Sequence, residues 1–153
     1  MLLADQDRSI WDRALIAKGQ AIVRRCLERN RPGQYEIQAA INAVHSDAAT
    51  SAETDWSQVL ALYDQLFAIA PSAVVALNRV VALVELEGPE PALAAVDDLD
   101  LATYSLFHAT RADLLARLGH TAGADRAYKQ AVERTNNHAE IALLEKKRSA
   151  LPR

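Results

Sequence analysis

Five places in the sequence bring together side chains able to hold charge, move protons or bind an ion. The first is "DQDRSIWD", where Asp5, Gln6, Asp7, Arg8 and Trp11 crowd the start of a helical pattern. Carboxylates beside a guanidinium and an indole suit two compatible tasks: capping a helix, with Asp5 or Asp7 and Ser9 as caps and Trp11 packed inward, or presenting a charged face to another protein segment. The second is His45 with Asp47, two metal-ligand types that still need a third from elsewhere. The third is His108 with Arg111, near one helical face with Tyr104. That trio fits a polar pocket, or a buried histidine bonded to backbone or carboxylate. The fourth is Cys26 beside Arg24, Arg25 and Arg29. Cations activate a thiol, yet Cys26 also falls on the apolar stripe of Leu15 and Ile22, where a packed, inert thiol belongs. The fifth is Asn78–Arg79, adjacent polar residues inside the apolar run "AVVALNRVVALVELEG", a pairing that core packing does not explain.

None of these completes a reactive centre. The four histidines form no HExxH or other close-spaced ligand pair. The five glycines are scattered among turns and make no phosphate-binding loop, and no GxSxG elbow occurs. The expectation is therefore no catalytic residue, no metal and no cofactor. A net charge of −3 with acids and bases interspersed argues against nucleic acid or an anionic membrane as a direct partner. The basic stretches "RRCLERNR" and "EKKRSALPR" lack interleaved aromatics, and the second suits the dipole of a final helix. A single cysteine excludes an internal disulfide and fits a reducing, cytoplasmic compartment. No apolar run approaches the roughly 18 residues of a membrane span, and "MLLADQD" lacks the features of a signal peptide.

The elements that must position these side chains read as helices throughout. Half of the 153 residues are hydrophobic but only 5% are aromatic, and Ala and Leu dominate, which suits close-packed helices. Residues 9 to 30 carry Trp11, Leu15, Ile22, Cys26 and Leu27 at helical spacing, with Ser9 and Asp12 as a capping box. "NRPGQY" breaks the chain, and "QYEIQAAINAVH" follows as a helix with Tyr35, Ile37, Ala40, Ile41 and Val44 inward. "SDAATSAETD" is an exposed loop. Asp55 caps a third helix, ended by Pro71, and Ser72 starts a fourth that is buried on several sides. A short fifth helix follows Gly88 and Pro89, and a sixth covers 101 to 118 and ends at Gly119. Thr121 starts the seventh, and Asn137 with Glu140 starts the last.

Short loops make consecutive helices antiparallel hairpins. In "ADLLARLGHTAGADRAYKQA", Ala112, Leu115, Gly119, Ala124, Tyr128 and Ala131 fall at offsets 0, 3, 7, 12, 16 and 19, the small and large positions of a tetratricopeptide repeat. Val81, Val84, Gly88 and Leu93 occupy the matching places one repeat earlier, and Tyr63, Leu66 and Pro71 mark the end of another. The expected architecture is all-α: about eight helices in antiparallel hairpins, stacked as a tetratricopeptide-like superhelix. Residues 1–54 would form a divergent pair and loop, 55–136 the repeat hairpins and 137–153 a capping helix. Asn78, Arg79, Asp113 and Arg117 would line a concave, protein-binding face. A polar pocket would draw on Tyr35, His45, Asn78, His108 and Arg111, and would make the chain a small-molecule sensor instead.

The segments "LLADQDRSIWDRALIAKG", "RPGQYEIQAAINAVH", "TDWSQVLALYDQL", "PSAVVALNRVVALVELEGP" and "HATRADLLARLG" resemble, in order, the C-terminal extension of a subgroup of bacterial extracytoplasmic-function RNA polymerase sigma factors. Ala73 departs from that pattern, which favours proline there. The resemblance implies a piece of a protein roughly twice as long, whose preceding sigma regions bind core polymerase and promoter DNA. Met1 would then begin inside a helical region, with Leu2 and Leu3 the remnant of an upstream connection. It implies a built-in regulator acting through the sigma regions or the polymerase core, with no DNA contact by this segment. Asp5, Gln6, Asp7, Arg8, Trp11, His45, Asn78 and Arg79 are the contact candidates it suggests.

Overall fold

The computed structural model describes residues 6–28 and 32–152. Among them are eight α-helices and no strand. The helices are α1 (Arg13–Leu27), α2 (Gln34–Asp47), α3 (Trp56–Ile69), α4 (Ala73–Glu87), α5 (Pro89–Asp97), α6 (Ser105–Arg117), α7 (Thr121–Val132) and α8 (His138–Ser149). Short 3-10 turns at Arg8–Ile10 and Ser51–Glu53 precede α1 and α3. The chain divides into two compact units, one up to Val75 and one from Ala76 onward, so the division falls in the first turn of α4. The strongest helix packings within each unit join consecutive elements: α1 on α2 and α2 on α3, then α5 on α6, α6 on α7 and α7 on α8. Neighbour-on-neighbour packing of this kind is what helical repeats use.

Four of the eight described α-helices start at a side-chain cap. Asp55 Oδ1 accepts from the Gln58 N–H at 2.9 Å, and Ser72 Oγ from the Val75 N–H at 3.2 Å. Asn137 Oδ1 accepts from the Ala139 and Glu140 N–H groups. At the first helix the cap is Asp12, whose Oδ1 takes the Leu15 N–H, so α1 starts three residues later than the Ser9 capping box required. The sixth helix also starts later, at Ser105, because residues 101–104 form a turn. Gly119 ends it at φ 76°, and Gly88 turns the chain after α4 at φ 89°. A Cβ disfavours both conformations.

In the first unit the buried side chains are those of α2 and α3: Ile37, Ala40, Ile41, Val59 and Leu66. None of the described side chains of α1 is fully buried. Leu15 is 66% exposed and Ile22 54% exposed, so these two members of the expected inward stripe face solvent, while Trp11 and Cys26 are half-buried and the Leu27 side chain lies outside what is described. Ile16, Gln20 and Val23 are half-buried instead. Tyr35, expected inward on α2, is also exposed. It lies in the first turn of α2, two residues before the buried position Ile37, and so on another side of the helix.

In the second unit one cluster joins α6, α7 and α8: Ala112, Leu115, Ala124, Ala127, Tyr128, Ala131 and Leu144. Ala112, Ala124 and Ala131 are completely buried, which allows two backbones to approach closely around the Tyr128 ring. The preceding repeat keeps its glycine but shifts its register. Ala82 and Ala92 are fully buried, while the expected positions Val81 and Leu93 are exposed and half-buried.

Candidate functional site

The 3-10 turn at Arg8–Ile10 sets the geometry of the opening motif. Asp7 is its cap, accepting from both the N–H and the hydroxyl of Ser9, and these bonds hold its carboxyl below the ordinary value. The turn aims Arg8 inward, where it is only 4% exposed. Arg8 Nη1 donates to the carbonyls of His45 at 2.7 Å, Ala48 at 3.0 Å and Thr50 at 3.3 Å. Those carbonyls lie in the last turn of α2 and just past its C-terminus, where the helix dipole favours a cation. The guanidinium carbon sits 5.0 Å from the centroid of the half-buried Trp11 ring, a cation–π contact. Arg8 Nε and Nη2 are buried with no partner among the described residues. Arg8 is therefore an internal anchor for the loop 48–50, whereas one of the two sequence readings of the motif had it on a charged outer face. Gln6 is half-buried, and Asp5 and Arg29 lie outside the described residues.

His45 belongs to the same assembly. Its ring meets Trp56 edge-on with centroids 5.4 Å apart, and Nδ1 is buried without a partner. Burial, and after it the Arg8 charge, holds the imidazole below its ordinary pKa. Both effects favour the neutral form of the ring. Asp47 accepts instead from Gln20 Nε2 of α1 at 3.1 Å. Among the described residues no group of three or more His, Cys, Asp or Glu side chains is placed to hold a metal ion.

The candidates of the second unit are also held by internal bonds. His108 is buried, with Nε2 2.7 Å from the Ala102 carbonyl, so the imidazole is the backbone-bonded histidine that the sequence allowed. Arg111 Nε pairs with Asp97 of α5 at 2.6 Å. Asp113 accepts from the Tyr128 hydroxyl of α7 and from Lys147 Nζ of α8 at 2.6 Å, which ties three helices together. Burial of Tyr128, then its bond to Asp113, raises the phenol well above its ordinary value. Arg117 pairs with Glu85 at 3.5 Å. Asn78 and Arg79 are half-buried on α4.

Three hollows among the described residues of the first unit are lined by other residues than Tyr35 and His45. One of about 190 Å³ lies among α1, α2 and α3, bordered by Val23, Arg24, Ala40, Val44 and Leu62. A neighbour of about 320 Å³ runs between α1 and α2 over Ile16, Gly19, Val23, Ala39 and Ala43. A polar one of about 390 Å³ is bordered by Asp47, Glu53 and Asp55. All three open to solvent, unlike the enclosed clefts that hold small molecules. No described helix is long and apolar enough to cross a membrane.

What the sequence missed is the role of Arg8. Its acceptors lie 37 to 42 residues away, and no local pattern encodes that distance.

No family model matches the chain. No solved structure matches it significantly. It is 41% identical over 146 residues to an uncharacterized protein of Rhizobium meliloti (strain 1021). That similarity covers 94% of this chain and 34% of the relative, so the chain spans about one third of the relative's length.

Proposed function

We propose that this chain is a non-enzymatic protein-contact module that regulates an extracytoplasmic-function sigma factor from within the same polypeptide. The observation that carries the reading is a division of labour among side chains. Arg8, His45, His108, Arg111 and Asp113 are engaged by bonds or rings inside the fold, while Ile10, Leu15 and Ile22 stand in solvent. Such a surface offers contacts to a partner. Similarity to one third of a longer protein is compatible with a module that works beside other regions.

In this reading the partners are the sigma regions, the polymerase core, or both, and the module works in the cytoplasm without touching DNA itself. Its contacts would shift the balance between competent and silent arrangements of the sigma regions, by as much as its affinities for the two differ. The test is transcription from the target promoter with reconstituted polymerase. The full-length factor is compared, at equal protein level, with one lacking residues 6–152. A change of several-fold in initiation is expected, and equal initiation by both forms would refute the proposal.

A further inference from the structure

We propose that the outer face of α1 is a docking seam for an amphipathic helix flanked by acidic residues. The inference rests on the contact-module reading above and names the chemistry of one partner. Leu15, Gly19, Ile22 and Cys26 follow one another at spacings of four, three and four residues, the repeat with which one helix meets another. Leu15 and Ile22 are more than half exposed, and Cys26 is half-buried. Neither of the two large side chains belongs to the buried core of the described residues.

Gly19 supplies an independent observation. A mid-helix glycine weakens a helix, and a reason for it is usually found in a close neighbour. Here a Cβ built on Gly19 would meet nothing within 4 Å. The glycine leaves an opening between Leu15 and Ile22, continuous with the hollow over Ile16, Val23 and Ala39. A partner helix would gain close backbone approach there and a recess for one of its own apolar side chains.

Charge selects the occupant. The body of α1 carries Arg13, Lys18, Arg24 and Arg25 and no acidic residue, although the chain as a whole has a net charge of −3. All four are exposed, and none is ion-paired among the described residues. Lys18 and Arg25 flank the apolar strip directly, at the positions where coiled-coil partners exchange charge. Acidic residues on the incoming helix would meet them. A second copy of α1 would bring like charges together, and a phosphate backbone would gain nothing from Leu15 and Ile22.

The test uses two synthetic helical peptides with the same Leu/Ala seam, one flanked by Glu and the other by Lys. Their binding to the 153-residue chain is followed by fluorescence anisotropy at low salt. The Glu-flanked peptide should bind at least tenfold more tightly. Leu15→Asp and Ile22→Asp, which alter exposed sites and should leave far-UV circular dichroism unchanged, should each weaken binding at least tenfold. Lys18→Glu with Arg25→Glu should reverse the preference. Equal binding of both peptides, unaltered binding by the seam variants, or a dimer of the chain that Ile22→Asp dissolves would overturn the inference. So would displacement of the Glu peptide by duplex DNA. Acidic-peptide binding without any effect of the module on initiation would leave the docking seam standing and remove only the sigma-factor reading. A promoter effect that survives Leu15→Asp and Ile22→Asp would do the opposite.

Discussion

Arg8 shows how one side chain can matter more for shape than for contact. A single guanidinium nitrogen satisfies three carbonyls at and beyond the end of α2, and no other described donor bonds them through a side chain. Arg8→Met should lower the unfolding free energy by about 2 kcal/mol, since the part-buried carbonyls of His45 and Ala48 would lose their side-chain donor, while Thr50 keeps the Glu53 N–H. Arg8→Lys should recover part of the loss, and urea denaturation of the three proteins measures both effects. His45 gives a pH dependence of defined sign. Its folded pKa is depressed, so its stabilisation is complete above the unfolded value of about 6.5 and fades as pH falls below it. The melting temperature should therefore drop between pH 7 and pH 5, and His45→Gln should flatten that drop. Asp7, also depressed, acts only below the carboxylate range and does not confuse the comparison. Neither role was legible in the sequence. "DQDRSIWD" shows charge and a capping pattern, and it is the fold that turns Arg8 inward and sets Trp56 against His45.

Helices were the most legible level, because caps and periodicity are local. Asp55, Ser72, Gly119 and Asn137 mark ends where the structure has them. The repeat of small and large residues in α6 and α7 also survives intact, and Ala124, fully buried, is its tightest point. Ala124→Leu should cost about 3 kcal/mol through overpacking, read by thermal or urea unfolding. Tyr128→Phe keeps the ring and removes only the bond to Asp113, so about 1 kcal/mol is expected in the same assay. The sequence misled where an amphipathic pattern was taken to mean an inward face. On α1 periodicity locates a stripe of Leu15 and Ile22 but not the side on which the rest of the chain lies. In the fourth and fifth helices a one-residue shift separates the buried alanines from the positions that the glycine spacing suggested.

Across the molecule, the strongest contacts of each unit join neighbours in sequence. Damage in such an arrangement travels to adjacent elements first. Hydrogen exchange of the Ala124→Leu variant should accordingly show the greatest loss of protection in α6, α7 and α8, and a uniform loss over all eight helices would contradict that expectation. The last helix has a further importance. It closes the α6–α7 cluster with Leu144 and fastens itself outside by Lys147 to Asp113 and Arg148 to Asp125. A polypeptide ending before His138 would leave that alanine-lined surface bare, along with the carboxylates of Asp113 and Asp125. Such a shortened protein should self-associate through that bared face, and sedimentation velocity would record a rise with concentration that restoring α8 removes.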